Sequence, residues 1–211
     1  MVLIQAVRDI LEDCIQRYPC LSVCQQSMET AYHELCSSFQ KQGKLLICGN
    51  GGSASDSGHI AGELLKAFRS RRPLTSRERD TLGEELASKL QGALPALSLP
   101  DFVAINTACI NDNDPRYHFA QLTWALGNPP DVFWGISTSG HAKNVCLAAQ
   151  TARAKGMKVI GLSGETGGNL KTFCDVCICV PERETYKIQE LHLPVYHALC
   201  AMLEQNFFAE V

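Results

Sequence analysis

A glycine-rich turn is the first part of this sequence whose residues could bind a ligand. Residues 49–53 read Gly-Asn-Gly-Gly-Ser and follow the apolar run Leu45–Cys48, which is typical of a strand buried on both faces. Three glycines permit positive φ angles and let a ligand approach bare backbone. The stretch from Ser53 to Asp56 has a capping-box pattern, which predicts a helix start with free N–H groups facing the turn. Together these features predict an anion site, with a plain strand-to-helix turn as the alternative.

The helix predicted after this turn carries a base and a carboxylate. His59 and Glu63 are four residues apart and therefore share one helix face. A solvated helix face produces the same pattern and is the ordinary explanation of such a pair. Next to a phosphate-binding turn, however, the two side chains become candidates for acid–base catalysis or for metal binding.

A second turn, rich in hydroxyl groups, follows another apolar run. Residues 131–137 predict a strand, and Thr138 and Ser139 come directly after it. Hydroxyl and backbone N–H donors in such a turn suit a phosphate. Ligands of parallel sheets bind at the carboxyl ends of the strands, where both turns lie. We therefore expect an anion among Ser137, Thr138, Ser139 and the backbone of Gly51, Gly52 and Ser53.

Apolar runs alternate with helical patterns along the rest of the chain. Strands are predicted at 45–48, 94–99, 131–137, 158–163 and 175–180. Helices are predicted at 2–17, 22–42, from 53 onward, 76–91, 117–126, 141–155 and 185–210, with a short one after 164–168 and a polar loop at 111–115. This alternation predicts an α/β fold with a five-stranded parallel sheet covered by helices on both faces.

No linker or internal repeat divides the chain, so we expect one domain over residues 1–211. Within it, residues 1–42 form extra N-terminal helices and residues 70–91 form a charged helical insertion. The N-terminal helices and the long C-terminal helix carry more apolar surface than one small sheet can cover. Their spare faces therefore predict a symmetric homo-oligomer, most simply a tetramer.

Composition excludes several classes of protein. The formal net charge is −3, which does not suit nucleic-acid binding. No apolar run reaches membrane-spanning length and no secretory leader is evident, so we expect a cytoplasmic protein without a membrane partner. The eleven cysteines are scattered without a disulfide framework. Cys174 and Cys177 form one C-x-x-C motif inside an apolar run; without a second motif to complete a zinc site, we interpret them as buried free thiols.

A dinucleotide site is the main alternative for the first turn. Gly49, Gly51 and Ala54 fit the relaxed fingerprint of such sites. That function requires an acidic residue about 20 positions later. Residues 69–72 are basic instead, and Asp101 lies far beyond them. We therefore expect no nucleotide cofactor.

Three stretches of the sequence resemble one known family. CGNGGSASDSGHIAGEL, GISTSGHAKNV and KIQELHLPVYH are similar to motifs of the sugar isomerase (SIS) domain family, in particular its phosphoheptose isomerase branch. The resemblance implies a three-layer SIS fold and interconversion of sedoheptulose 7-phosphate and D-glycero-D-manno-heptose 7-phosphate. It also implies a homotetramer with sites formed between subunits and one zinc ion per subunit.

The resemblance assigns roles to individual residues. It makes Glu63 the catalytic base and His197 the acid–base group, and it adds His59 and Gln189 to these two as metal-associated residues. The residues it associates with the substrate and its phosphate are Asn50, Gly51, Gly52, Ser53, Asp101, Asn111, Asp112, Ser137, Thr138, Ser139 and Gln189. Because His59 and Glu63 must face Gln189 and His197, we expect that they come from a second helix, on another subunit.

Several positions depart from the family pattern. Ala67, Ala142 and Tyr186 stand where these isomerases have arginine, serine and aspartate, and most of the 70–91 insertion is absent from them. These differences leave open which phosphosugar is recognised. A sibling branch of this fold is a non-catalytic adaptor and lacks the glutamate and the C-terminal histidine. Since Glu63 and His197 are both present, we expect an enzyme, with a regulator or adaptor and an isomerase of another phosphosugar as the alternatives.

Overall fold

The computed structural model describes residues 3–209 and contains a five-stranded parallel sheet between two layers of helices. The strands are β1 (Leu45–Cys48), β2 (Ala96–Ser98), β3 (Val132–Ile136), β4 (Lys158–Ser163) and β5 (Val176–Cys179). The helices are α1 (Gln5–Arg17), α2 (Gln25–Gln40), α3 (Gly52–Leu65), α4 (Ser76–Ala87), α5 (Val103–Asp112), α6 (His118–Leu126), α7 (Lys143–Ala154) and α8 (Thr185–Phe208). No helix within this range is long and apolar enough to cross a membrane.

The order of the strands creates a natural binding position. The sheet runs β2-β1-β3-β4-β5 with every pair parallel, as the sequence predicts. The chain therefore leaves β1 towards one edge of the sheet and later returns to β1's other side as β3. Helices that follow β1 and β3 lie on opposite faces, which opens a crevice at the carboxyl ends of these two strands.

Alternate residues of each strand pack against different helices. Leu45 and Ile47 of β1 belong to the core beneath α1, α2, α3 and α8. Leu46 and Cys48 belong to the core beneath α6 and α7. Each central strand is thus buried on both faces, which explains its continuously apolar sequence. The predicted three-layer α/β fold is confirmed.

The boundaries of most predicted elements are right to within a few residues, with two corrections. No side chain caps α3: Gly51, with φ 55° and ψ −121°, is its N-cap, and Ser53 lies inside the helix. Asn111 and Asp112 are not in a loop but in the last turn of α5, a helix that the sequence did not predict. Its apolar residues, among them Val103, Ile105 and Ile110, are spread around the helix and not confined to one face, so the sequence lacks the apolar periodicity that marks a helix. The predicted helix ends at Val2 and Glu210 lie outside the described residues.

The N-terminal helices pack differently from our expectation. Val7, Leu11 and Cys14 of α1 are fully buried, and α1 packs against α8 of the same chain. Ile4 and Val23, beside the N-terminal helices, are exposed, and further apolar surface lies on α5 and α6. The large apolar side chains exposed there are Val103, Ile105, Ile110 and Trp124, with Tyr117 just before α6. The described residues leave this apolar surface uncovered.

The predicted insertion forms one shorter helix. α4 ends at Ala87 and is interrupted at Gly83, whose φ is 76°. Its N-terminus carries the capping box that the sequence analysis had placed elsewhere: Thr75 accepts from the Glu78 N–H, and the Glu78 carboxylate accepts from the Thr75 N–H. Leu86 and Leu90 of this segment are about half exposed.

All eleven cysteines are free thiols. Cys174, Cys177 and Cys179 are half-buried rather than buried, and the sulfurs of the last two lie 3.7 Å apart along β5. The hydrogen bond with Cys174, together with burial, raises the pKa of Cys177 to about 12. At neutral pH Cys177 is therefore a protonated thiol, and its sulfur packs beside Gly161.

A buried ion pair ties the end of α3 to α8. The Glu204 carboxylate, 2% exposed, accepts hydrogen bonds from the N–H groups of residues 68, 69 and 70 and from Arg72 Nε at 2.8 Å. The Arg72 guanidinium, also buried, donates to the carbonyls of Glu63 and Leu64 at 2.7 Å. Burial alone would raise the pKa of Glu204, but these bonds hold it below its ordinary value. The basic residues 69–72 therefore belong to a buried hydrogen-bonded link between α3 and α8.

Replacement of Glu204 by Gln should lower the free energy of unfolding at pH 7 by about 3–5 kcal/mol, because Arg72 is left buried without its counter-charge. The wild-type carboxylate stabilises the fold above its ordinary pKa, and that contribution disappears as pH falls through its lower folded-state pKa. Urea unfolding of both proteins from pH 7 to pH 3 should therefore show a difference that shrinks with acid. Glu165→Gln, in the exposed pair with Arg183, is the matched control and should have little effect. A constant or growing difference towards low pH would contradict this assignment.

Candidate active site

A pocket of about 330 Å³ opens at the crevice between β1 and β3. Three helices point their N-termini at it, because Gly52 begins α3, Ala142 precedes α7 and Thr185 begins α8. The lining residues are Asn50, Gly51, Gly52, Ser53, Ile136, Ser137, Thr138, Ser139, Ala142, Thr185 and Gln189. Among these described residues there is no Lys or Arg. An anion would be held here by helix N-termini, backbone N–H groups and hydroxyls.

Glycine is required in the first turn for two separate reasons. Gly51 has free space around a hypothetical Cβ, but its φ and ψ belong to a region that other residues rarely adopt. Gly52 has an ordinary φ, but a Cβ there would lie 2.6 Å from Gln189 Nε2. The first glycine permits the turn and the second permits close contact between α3 and α8.

The two predicted phosphate turns are joined by a pair of amides. Asn50 Nδ2 donates to Asn144 Oδ1 at 2.9 Å, and Asn144 Nδ2 donates to Asn50 Oδ1 at 2.8 Å. In the second turn, Ser139 Oγ accepts from the His141 N–H. Sequence reasoning missed Asn144, because a single asparagine near a helix start is usually a local cap. Ala142 lines the pocket without offering a hydroxyl.

The second group of candidate residues lies further along α3 and α8. His59 Nε2 lies 3.1 Å from Glu63 Oε1, and His197 Nε2 lies 3.4 Å from His59 Nε2. One potential ligand atom from each of the three residues lies within 4.8 Å of the other two. All three come from one chain, so the expectation that α3 must face α8 of another subunit is wrong: α3 packs against α8 of its own chain.

The donor set fits a zinc ion. Two imidazole nitrogens and a carboxylate oxygen are ligands that zinc accepts, and three protein ligands leave a position open for substrate. Burial first, and then the neighbouring His59, lower the pKa of His197, while Glu63 acts in the opposite direction. His197 is therefore neutral around pH 7 and can bind a metal or exchange a proton.

Helices α3 and α8 run side by side in the same direction and connect the pocket to the histidine cluster. Gly52 contacts Gln189 at one end, and His59 contacts His197 at the other. His59 lies seven residues after Gly52 on α3, and His197 lies eight residues after Gln189 on α8. At a rise of 1.5 Å per residue, the two contacts are therefore about 10–12 Å apart along the helices. An extended sugar phosphate of six or seven carbons has a comparable length. The arrangement can hold a phosphate at one end while acid–base groups act on the other end of the chain.

Asp101, Asn111 and Asp112 lie outside the pocket lining. Asp101 lies against α3, with Oδ2 3.5 Å from a hypothetical Cβ of Gly58. Asn111 and Asp112 are exposed at the end of α5, where the Asn111 amide donates to the Asp112 carboxylate at 2.8 Å. Gln189, predicted as a metal-associated residue, lines the phosphate pocket.

Two further residues, which the sequence analysis did not single out, touch the histidine cluster. Tyr196 OH lies 3.0 Å from His59 Nδ1 and 3.2 Å from Asp56 Oδ1. Asp56 lies one turn before His59 on α3, and this spacing was the only feature of the sequence that could have linked Asp56 to the cluster. Tyr196 is separated from both by about 140 residues, so its contact could not be read from spacing.

Comparisons with known proteins agree with this geometry. The profile of the SIS domain family matches residues 110–204. The phosphoheptose isomerase of Roseiflexus sp. (strain RS-1) is 41% identical over 172 residues, which cover 82% of this chain and 78% of that protein. The phosphoheptose isomerase of Helicobacter pylori (strain P12) is 38% identical over 89% of this chain and 88% of that protein.

Solved structures show the same relationship. The structure of phosphoheptose isomerase from Neisseria gonorrhoeae superimposes with a TM-score of 0.75 at 29% identity, covering 95% of this chain and 98% of that one. The corresponding values for a phosphoheptose isomerase from Francisella tularensis are 0.74 and 28%, with 97% and 100% covered. The fold, the order of the motifs and the identity over most of both chains lead to one conclusion: this chain belongs to the phosphoheptose isomerase family of SIS-domain proteins.

Proposed function

We propose that this protein interconverts sedoheptulose 7-phosphate and D-glycero-D-manno-heptose 7-phosphate. The observation that carries the proposal is the two-ended site, in which an anion pocket and a His–Glu–His cluster lie about 10–12 Å apart along two packed helices. The relatives that match most of the chain are phosphoheptose isomerases, which supports this substrate.

The reaction moves one proton between neighbouring carbons and another between neighbouring oxygens. With the phosphate held by the helix N-termini, Glu63 removes a proton from C1 of the ketose and returns it to C2, while His197 transfers a proton between the oxygens on these carbons. Both groups lie beside His59, Glu63 on its own helix and His197 on the facing one. Phosphate binding supplies energy far from the reacting carbons, which helps to orient them.

We also propose one zinc ion per subunit at His59, Glu63 and His197. A bound zinc ion supplies polarisation of the substrate carbonyl and stabilises the negative charge that develops on it. Gln189 is the fourth proposed ligand from the sequence. Because its amide packs beside Gly52 in the phosphate pocket, its more direct role in this proposal is to contact the substrate.

The proposal extends to assembly and location. The whole chain forms one SIS domain in the cytoplasm and assembles as a homotetramer. Its support is the apolar surface of α5 and α6, where Val103 is 66% and Trp124 is 60% exposed. Sedimentation at micromolar concentration should give four times the mass of one chain, and a monomer would contradict the assembly.

Gly51→Ala should weaken phosphate binding, because alanine at this φ and ψ costs about 1–3 kcal/mol and shifts the turn. The dissociation constant of sedoheptulose 7-phosphate, measured by calorimetry, should rise about 5- to 100-fold. Gly62→Ala is the matched control, since its Cβ also meets open space but its backbone is helical. Equal affinities in the two variants would show that the first turn does not hold the phosphate.

Glu63→Gln should lower turnover by a factor of about 10² to 10⁴, because the base is lost while size and hydrogen bonding are kept. Affinity for the sugar phosphate should change little, since the phosphate pocket is untouched. Glu12→Gln, on the exposed face of α1, is the control and should leave turnover unchanged. Assays with a panel of ketose phosphates complete the test.

Two results would change the assignment. Normal turnover by Glu63→Gln together with inactive His59→Ala would remove the base role from Glu63. Faster turnover of another ketose phosphate would keep the reaction but replace the proposed heptose.

A further inference from the structure

A buried tyrosine connects His59 to a carboxylate on the same helix. The Tyr196 hydroxyl lies 3.2 Å from Asp56 Oδ1 and 3.0 Å from His59 Nδ1, and the side chain is 1% exposed. The other ring nitrogen of His59, Nε2, faces Glu63 Oε1 and His197 Nε2. The imidazole is therefore in contact through both nitrogens, with Tyr196 behind it and the candidate reacting groups in front.

The number of available protons determines which group donates in the hydrogen bonds of Tyr196. An ionised Asp56 can only accept, so the single hydroxyl proton of Tyr196 is donated to Asp56. The hydroxyl oxygen then accepts from His59, which requires a proton on Nδ1. Burial and the Asp56 carboxylate raise the pKa of Tyr196, so that the hydroxyl remains a donor.

The proton on Nδ1 also determines how His59 Nε2 meets its neighbours. With Nδ1 protonated, Nε2 presents a lone pair to a carboxylate oxygen 3.1 Å away and to a second imidazole nitrogen 3.4 Å away. The Glu63 carboxylate has no proton to donate, so its lone pair and that of Nε2 repel unless a proton or a metal ion lies between them. One arrangement alone makes every contact favourable: Tyr196 bonded to Asp56, Nδ1–H bonded to Tyr196, and a proton or metal ion at Nε2.

We propose that Tyr196 and Asp56 are positioning residues that keep the His59 proton on Nδ1 and thereby make Nε2 the nitrogen that serves the reaction. This inference deepens the proposed function and rests on it for the use of Nε2. Hydrogen bonds of this kind from the outer nitrogen of a metal-binding histidine fix the ring's tautomer and orientation, and their loss typically weakens metal binding 10- to 100-fold.

Asp56→Asn should invert the chain of bonds. The asparagine amide can donate to the Tyr196 oxygen, which leaves the hydroxyl free to donate to His59 Nδ1. The ring proton then moves to Nε2 and blocks it. The asparagine variant should consequently impair Nε2 at least as much as Tyr196→Phe does, although asparagine is nearly isosteric with aspartate.

The test combines nitrogen-15 NMR of histidine with zinc titration. In metal-free protein at neutral pH, wild type should show a His59 Nδ1–H signal protected from exchange with water. Tyr196→Phe should lose that protection and bind zinc about 10- to 100-fold more weakly. Tyr32→Phe, another buried tyrosine (4% exposed) on α2, is the matched control and should behave as wild type. Thermal unfolding of each variant monitors the fold.

The outcomes separate this inference from the proposed function. An unprotected Nδ1–H in wild type, or unchanged protection and zinc affinity in Tyr196→Phe, overturns the inference even if the enzyme turns over its substrate. A protected, Tyr196-dependent Nδ1–H in a protein that binds no zinc supports the inference and overturns the zinc site alone. If Tyr196→Phe unfolds, the test rests on two other measurements: protection of the Nδ1–H in wild type, and zinc affinity of Asp56→Asn.

Discussion

The buried pair of Glu204 and Arg72 is the interaction on which the site's geometry depends. Arg72 bonds the final carbonyls of α3, including that of Glu63, while Glu204 anchors the segment that follows α3 to α8. Glu204 lies seven residues after His197, two turns along the same face of α8. A change in this pair would therefore shift the helix that carries Glu63 relative to the helix that carries His197. Because breaking a buried ion pair costs free energy, the Arg72–Glu204 pair favours one alignment of α3 and α8.

The other end of the same two helices is held by a different physical effect. There, Gly52 and Gln189 are in contact, and α3, α7 and α8 direct their N-termini at a pocket lined without basic side chains. Helix dipoles and unpaired N–H groups attract an anion without the long, mobile side chains that Lys or Arg would contribute. The pocket therefore suits an anion whose position is fixed relative to the helix axes.

Local patterns were sufficient to predict much of this arrangement. Leu45–Cys48 and Lys158–Ser163 were located to the residue, because a short run buried on both faces leaves little choice of structure. The glycine and hydroxyl turns came together because parallel strands end at one edge of a sheet. Helix α5 was missed because its apolar residues are spread around the helix and not confined to one face.

Contacts between distant residues could not be predicted in the same way. Arg72 is charged and lies among other basic residues, and its partner Glu204 is 132 positions away. The Tyr196 contact with Asp56 spans 140 positions. Such pairs become visible only when the fold brings α3 and α8 together, and they determine how the side chains found by motif are oriented.

The source of the hydrogen at C2 of the product tests the central claim most directly. The side chains of His59 and Glu63 are 42% and 17% exposed, so a proton held by Glu63 can exchange with solvent during the reaction. Wild-type protein converting sedoheptulose 7-phosphate in D₂O should yield aldose that carries deuterium at C2, as seen by proton NMR. Glu63→Gln should lose this incorporation in step with turnover, and incorporation at the wild-type rate in that variant would contradict proton abstraction by Glu63.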